Sequence, residues 1–554
     1  MNTLKSLVKE IQERKPNSQL EVVNIIRNFT RKNHLPKLPS LAEVSSLLPK
    51  KYYEQNKHLF SIKPIRITSG VAVIAVMTAP LACPPQAQCT YCPGGPNSYF
   101  GDTPKSYTGN APASRRAARN KFDPYLQTFN RLEQYSATNK FVDKIEAIVM
   151  GGTFPWLPQK YQNDFITSLF QALNDFSSYF YDKEGNFLRH KFMKFFELPS
   201  NLDDLERIKR IHKKILKLKK PTTLKNEQLK NETALIRDIA LCIETRPDYC
   251  YQSHIKNMLR QGTTRIELGI QSIYDDVLKR VRRGHLTDAS IKATQLLKDS
   301  FLKTGYQIML GLSDAKKDIL MGKEIFSNEK FRPDAIKLYP ALVMKGTKLY
   351  EEYLAGKYSP IKTEEAIKRI NEIKKYIPEY CRVMRIQRDI PSTVVEEGVK
   401  TTNLRQLITT KCRCIRCREP RLNEIDFDSV KLKRINYAAS NGHEIFLSYE
   451  DVKNDFLLGF LRLRIPHKPF ISAITPKSAG IRELHVYGQI ANIDKKGNIQ
   501  HKGYGKSLVQ EAEKIASEEF DKNKILVISG IGVKEYYKKL GYEKDSYYMS
   551  KKLD

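Results

Sequence analysis

The sequence predicts an α/β protein, a partial (β/α) barrel followed by a smaller α/β domain. Three observations carry this reading. Between residues 61 and 390, short and nearly continuous apolar runs alternate with helical stretches, the pattern of buried parallel strands joined by crossover helices. A cysteine-rich loop and a Gly-Gly-Thr turn each follow one of those runs, at the strand ends where barrel chemistry sits. After about residue 435 the texture changes, and a second set of strands surrounds a glycine-rich helix start.

The elements follow in chain order. Residues 1–60 read as helices, with Leu4, Leu7, Val8 and Ile11 on one face. Arg27, Arg31, Lys32, Lys37, Lys50 and Lys51 make this a basic arm, able to touch RNA or to pack on the next domain. The barrel strands are expected at 71–76, 145–150, 239–243, 265–270, 306–310 and 335–339. Residues 176–235 read as an insertion carrying the basic stretch Lys209–Lys220, either an RNA-facing helix or a solvated one. Residues 391–435 read as a metal-binding linker. In the last domain, 436–554, strands are expected at 456–463, 483–486, 525–529 and 547–552, with helices at 507–519 and up to Leu540.

Three cysteines, Cys83, Cys89 and Cys92, lie in the loop after the first run and before Pro93-Gly-Gly95. Three thiolates leave one iron of a 4Fe–4S cluster without a protein ligand. That open iron is what S-adenosylmethionine needs in order to chelate and be cleaved. The competing readings are a disulfide or a zinc knuckle, but zinc prefers four ligands and no fourth Cys or His lies nearby.

The chain has 94 Lys+Arg against 61 Asp+Glu, a net charge of +33. That excess suits a polyanion such as nucleic acid, although a Lys-rich solvated surface has the same composition. Nine cysteines, mostly in two tight groups, favour metal binding in a reducing compartment over a disulfide framework. No apolar run approaches a membrane span, and the N-terminus lacks a signal-peptide core. A cytoplasmic protein without membrane contact is expected.

Two further motifs carry chemistry. Gln500-His-Lys-Gly-Tyr-Gly-Lys-Ser507 opens a helix, and Gly503 and Gly505 let backbone amides approach a pyrophosphate. This Gln-x-x-Gly-x-Gly pattern resembles the acetyl-CoA loop of the GNAT acetyltransferases. Cys412, Cys414 and Cys417 form a compact clip for structural zinc, with Cys381 the candidate fourth ligand ahead of Cys242 and Cys250. Three free thiols in an Arg-rich loop are the alternative.

A radical S-adenosylmethionine (SAM) domain followed by a GNAT domain resembles the catalytic subunit of Elongator, the tRNA uridine acetyltransferase family, in its single-chain archaeal or bacterial form. The resemblance rests on Ile148-Val-Met-Gly-Gly-Thr-Phe154, Glu244-Thr-Arg-Pro-Asp-Tyr249, Ile266-Glu-Leu-Gly-Ile-Gln-Ser272, Arg283-Gly-His285, Lys337-Leu-Tyr-Pro340, Arg385-Ile-Gln-Arg-Asp-Ile-Pro391 and Arg482-Glu-Leu-His-Val-Tyr-Gly488, spread over most of residues 61–554. It implies an enzyme that adds a carboxymethyl group to carbon 5 of the tRNA wobble uridine. A 5′-deoxyadenosyl radical would take hydrogen from the acetyl methyl of acetyl-CoA, the carbon radical would add to uracil, and thioester hydrolysis would follow.

The resemblance also implies site residues. Glu483, Leu484, His485 and Val486 should line acetyl-CoA, Gly503, Tyr504, Gly505 and Lys506 should hold its pyrophosphate, and Tyr537 should contact it. Lys144 matches a family lysine that contacts acetyl-CoA, or is only a strand-start lysine. Glu244, Arg246, Glu267 and Gln271 should lie near SAM or the base, although salt-bridged barrel residues would look the same. Tyr536 is read equally as core or as functional. Expected partners are the tRNA anticodon stem-loop, an electron donor and, as a homodimer, a second copy of the chain. The sequence departs from the family at Pro85, which follows Cys83-Pro84 where many members carry His, and in the long basic insertion 176–235. The competing functions are a protein lysine acetyltransferase using only the last domain and a non-catalytic tRNA-binding scaffold.

Overall fold

The computed structural model describes residues 2–36, 38–60, 70–138, 142–198, 200, 204–421, 423–487 and 503–553. Lys37, Gly488 and Gln500–Lys502 therefore lie outside the described residues. Helices α1 (Asn2–Arg14), α2 (Gln19–Lys32), α3 (Leu41–Ser46) and α4 (Lys50–Asn56) bury their own cluster around Leu7, Ile11, Val22, Ile26 and Phe60. Arg27, Arg31, Lys32 and Lys51 stay exposed. No described helix is long and apolar enough to cross a membrane.

Strand β1 (Val71–Met77) empties into the cysteine loop and a short hairpin, β2 (Gly95–Ser98) and β3 (Gly101–Thr103). Then come β4 (Lys144–Met150), β5 (Arg237–Thr245), β6 (Thr263–Gln271), β7 (Lys303–Leu310), β8 (Ala335–Pro340), the two-residue β9 (Leu342–Val343), β10 (Arg382–Ile386) and β11 (Glu397–Gly398). The first sheet has the order β1-β4-β5-β6-β7-β8-β10, and every pair is parallel. It is the open barrel the apolar runs predict. The seventh strand, β10, is not legible as one because Arg-Val-Met-Arg-Ile interleaves charge with apolar residues.

The outer layer is α5 (Pro112–Arg119), α6 (Pro124–Ala137), α7 (Gln159–Phe180), α8 (Arg189–Phe195), α9 (Leu205–Leu216), α10 (Leu224–Asn231), α11 (Gln252–Arg260), α12 (Asp275–Arg280), α13 (Thr287–Asp299), α14 (Ala315–Ser327), α15 (Lys348–Leu354) and α16 (Thr363–Lys374). Helix α7 runs through residue 176, so the segment read as an insertion starts inside a barrel helix. Its phenylalanines close on that helix: Phe192 and Phe196 pack on Phe180 with ring centroids 5.5 Å apart in each pair.

The second sheet contains β12 (Val430–Ala439), β13 (Gly442–Asp451), β14 (Phe456–Ile465), β15 (Ser478–Val486), β16 (Lys524–Val527), β17 (Glu543–Asp545) and β18 (Tyr548–Lys552), in the order β12-β13-β14-β15-β16-β18-β17. Helices α17 (Tyr504–Lys514) and α18 (Lys534–Lys538) accompany it. The sheet begins before residue 436, because β12 carries lysines and Arg434 on a solvated face that hides its strand pattern.

This domain docks beneath the N-terminal ends of the barrel strands. The Arg482 guanidinium donates to both oxygens of Asp334, at 2.6 and 2.9 Å, and to Glu444 Oε2 at 3.0 Å. Arg464 joins Glu444 to Asp299, and Lys298 lies 3.5 Å from both Asp334 and Glu444. All these side chains are almost wholly excluded from water. Gly530 lets the second domain abut β5, since a Cβ there would fall 2.0 Å from the Ile239 carbonyl oxygen. Replacing Asp334 by Ala leaves Arg482 and Lys298 short of a counter-charge. Chemical denaturation should show a loss of about 3–5 kcal/mol.

Candidate active site

The cysteine loop is braced from three strands. The Thr153 hydroxyl, on the Gly151-Gly152-Thr153 turn after β4, lies 3.6 Å from Cys83 Sγ. Arg283 donates to Cys89 Sγ at 3.3 Å while its other amino group holds the Gly269 carbonyl at the end of β6. The backbone amide of Ser106 donates to Cys92 Sγ at 3.3 Å. Burial alone would raise the Cys89 thiol, but the Arg283 charge and hydrogen bond, with Arg246 nearby, bring it below its ordinary value. Gly284 sits at φ +81°, and a Cβ there would fall 2.3 Å from the Gln86 carbonyl oxygen. The loop can close on Arg283 only because residue 284 has no side chain.

Among the described residues, the sulfurs of Cys83, Cys89 and Cys92 do not converge within single-ion distance, whereas those of Cys412, Cys414 and Cys417 do. The wider set suits a cluster in which each thiolate takes a different iron. The narrow set suits one ion: Cys412 and Cys417 Sγ stand 3.7 Å apart, close to the edge of a tetrahedron with zinc–sulfur bonds of about 2.3 Å. Cys381, expected as the fourth ligand, is not in that group. It is fully buried beside it, and its carbonyl accepts the Ile415 amide at 3.0 Å. Cys242 and Cys250 are buried in the barrel.

Inside the barrel, polar side chains from neighbouring strands meet. Lys337 on β8 donates to Glu244 on β5 at 2.8 Å and contacts Glu267 on β6. Gln307 on β7 donates to both carboxylates, and the Tyr107 hydroxyl to Glu244 at 3.3 Å. Burial would raise Glu267, yet Lys337 and Arg265 hold it down to about 2. Sequence reasoning missed Lys337 as the centre of this set, although it stands in the Lys337-Leu-Tyr-Pro340 motif. Glu244, Arg246 and Gln271 line the cavity above Cys89, while Glu267 lies deeper in the lumen. Arg246 is paired with Asp248 through two hydrogen bonds, yet its remaining amino group and Gln271 Oε1 are buried without a partner. Gln271 also holds φ +69°, a strained conformation at the strand end. Unsatisfied buried polar atoms around one cavity are what a bound cofactor would engage.

The second domain supplies a different cradle. Gly503, at φ +85°, caps α17, and Tyr504, Gly505 and Lys506 form its first turn. Strand β15 pairs with β16 only from Ser478 to Ile481. Among the described residues, Glu483–Val486 therefore face no strand on that side, leaving an open backbone edge beside the glycine turn. The Glu483 side chain is turned to the barrel, where Lys303 contacts it and Arg462 donates at 2.8 Å. His485 stacks on Phe460, and burial lowers it to about 4, so it is neutral at pH 7. Tyr537 is buried in the core, whereas the Tyr536 hydroxyl reaches the glycine turn, 3.0 Å from where a Cβ on Gly505 would lie. Lys144, its side chain 38% exposed, begins β4 at the same end of the barrel as Lys303.

The two cradles thus lie at opposite ends of the strands. From Lys303 to Met309 is about 20 Å at the usual strand rise. Between them runs a column of alternating charge: Glu244, Lys337, Glu267, Arg265 and Glu146, with Arg265 2.6 Å from Glu146.

Two outcomes follow. Gly284→Ala should lose most of the reconstituted cluster, read as iron content and visible absorbance, while the fold is kept by circular dichroism. Burial would raise Glu483, but Lys303 and Arg462 hold it at about 2, below the usual 4.5. Its stabilisation is complete above about pH 4.5 and is lost as pH falls toward 2, of order 3 kcal/mol. Acid titration of stability should be flatter in Glu483→Gln.

Comparisons with known proteins agree with this geometry. Residues 83–321 match the Radical SAM superfamily and residues 333–413 the Radical_SAM C-terminal domain. The chain is 46% identical to the tRNA uridine(34) acetyltransferase of Methanocaldococcus jannaschii, covering 90% of this chain and 88% of that one. It is 37% identical to Elongator complex protein 3 of Saccharomyces cerevisiae, covering 97% and 92%, and 37% identical to that of Homo sapiens, covering 100% and 97%. The solved structure of archaeal Methanocaldococcus infernus Elp3 superposes with a TM-score of 0.71 at 43% identity, over 88% of this chain and all of that one. With braced thiols at one end of a radical SAM barrel and this likeness along nearly its whole length, the chain belongs to the tRNA uridine(34) acetyltransferase family, that of Elongator complex protein 3.

Proposed function

We propose that the protein modifies carbon 5 of the wobble uridine of tRNA, forming 5-carboxymethyluridine from acetyl-CoA and SAM. The observation that carries this is the pairing of the two cradles across one polar lumen: three braced thiols at the strand C-termini, and an open strand edge with a glycine-capped helix below the strand N-termini. A plain protein acetyltransferase would leave the braced thiols and the unsatisfied polar atoms above them without a task.

Cys83, Cys89 and Cys92 would hold the 4Fe–4S cluster, with Arg283 offsetting thiolate charge at Cys89. That cluster, reduced by an electron donor, would supply the one-electron chemistry that turns SAM into a radical source. Arg246 and Gln271 offer buried, unpartnered polar atoms to SAM or to the base. The open backbone of Glu483–Val486 would accept the pantetheine amides, and the α17 amides the pyrophosphate. Tyr536 would flank the carrier, backed edge-on by the core-buried Tyr537, and Lys144 would meet it from the barrel. His485, kept neutral by burial, offers its unpartnered Nε2 as a hydrogen-bonding group there without bringing charge into the site. Zinc held by Cys412, Cys414 and Cys417 would be structural, joining the end of the barrel to the second sheet.

The test is anaerobic. Protein reconstituted with iron and sulfide is given SAM, dithionite, acetyl-CoA and bulk tRNA, and the digested RNA is examined by mass spectrometry. 5-Carboxymethyluridine should form and should vanish in Cys89→Ser; no product despite a filled cluster and bound tRNA would overturn the reading. Cys414→Ser should lose zinc by metal analysis and lower the melting temperature while the cluster absorbance stays.

A further inference from the structure

Beside the cysteine pocket, α5 and α9 enclose an open groove that none of the chemistry above uses. Its volume is about 1260 Å³, above the usual range of a small-molecule pocket. Its cationic lining includes Arg115 and Arg119 from α5, Lys121 and Arg131 flanking them, and Lys213 and Lys217 opposite, and no carboxylate lines it among the described residues. Lys209, the next cation along α9, is tied to Glu206 at 2.7 Å. Arg115, Lys121, Lys213 and Lys217 are exposed.

Glu133, whose field reaches Arg119 from outside the groove, is itself paired with Arg207 at 2.7 Å, so the lining keeps a net positive field. Arg131 spends its hydrogen bonds on Gln134 and the Tyr135 hydroxyl, both neutral. Arg116 lies beneath, donating to the Ala75 carbonyl at 2.7 Å, and burial together with the charges of Arg131 and Arg119 brings it down to about 10. Lys209, Lys213 and Lys217 repeat every four residues, about 6 Å along a helix. Such a row suits a polymer with regular charges better than a single phosphate.

Asn110 lines the groove, three residues beyond Tyr107, whose hydroxyl reaches Glu244 inside the barrel. Three residues span at most about 10 Å, so the groove opens beside the rim of the radical pocket.

We propose that the groove between α5 and α9 seats the phosphate backbone of the substrate RNA, next to the nucleotide that enters the cysteine pocket. This rests on the tRNA-modifying function proposed above. It makes the basic stretch after residue 205 an RNA-binding face rather than solvated surface.

The test compares two triple variants with the wild type. One is Arg115→Glu/Lys213→Glu/Lys217→Glu, in the groove. The other is Lys316→Glu/Lys357→Glu/Lys368→Glu, an equal charge change on exposed residues of α14, α16 and the turn after α15. Binding of purified tRNA is measured across a range of salt. The groove variant should bind at least tenfold more weakly, and the slope of log K against log[salt] should fall by about 2, for three lost phosphate contacts. Dithionite-driven SAM cleavage without tRNA should be unchanged, and product formation should show a raised KM for tRNA with kcat kept. Equal binding by wild type and groove variant, or equal weakening by both variants, overturns the groove as the RNA site. A wild type that fails to bind tRNA at all overturns the underlying function instead.

Discussion

The buried ion network between the barrel and the second sheet is the constraint on which the rest depends. Arg482, Arg464, Lys298, Asp334, Glu444 and Asp299 lie out of water. Their desolvation is tolerable because each guanidinium has several partners and Asp299 also accepts the backbone amides of His467 and Lys468. An apolar interface of equal area would hold the domains together without fixing their angle. Forked guanidiniums accept carboxylates in few orientations, so this network sets rotation as well as contact. Strand β15, which carries Arg482, is thereby held with its open edge beneath the lumen.

That placement gives the lumen its character. A barrel interior is ordinarily filled by branched apolar side chains. Here the strands contribute Glu244, Glu267, Arg265, Lys303 and Lys337 instead. Each of these charges is ion-paired, Lys303 with Glu483 and Arg265 with Glu146 as well as Glu267, so the interior is polar without carrying an isolated ion. In the proposed reaction the acetyl carrier and the radical approach from opposite ends, and such an interior can receive polar groups from either side. The basic groove outside the barrel would then bring the RNA to the same rim.

Much of this was legible in the chain. The strands from β1 to β8 that form the barrel sheet read as nearly continuous apolar runs; β6 is buried on both faces, while the edge strand β1 leaves only Val73 exposed. The cysteine loop, the Gly-Gly-Thr turn and the glycine-capped helix are contiguous motifs whose chemistry lies in their spacing. Strands β10, β12 and β13 were not legible: Arg385 and the lysines of β12 break the apolar pattern, and β13 pairs within the sheet through residues of mixed polarity. Lys337 was quoted in a motif without its role, since its two carboxylates come from other strands. Cys381 illustrates the reverse error, because a thiol near in sequence terms to the linker is held beside the metal clip and not within its group.

By itself, then, the sequence determined the order of the elements, the two cysteine sets and the family. These are properties of neighbouring residues, and local spacing encodes them. Only the tertiary structure decided which charges meet. Glu483 finds Lys303 across 180 residues, Arg283 finds Cys89 across 194, and α5 finds α9 across the layer of barrel helices. Such pairings arise when sheets and helices dock to bury apolar faces, and no local pattern records the register in which they do so.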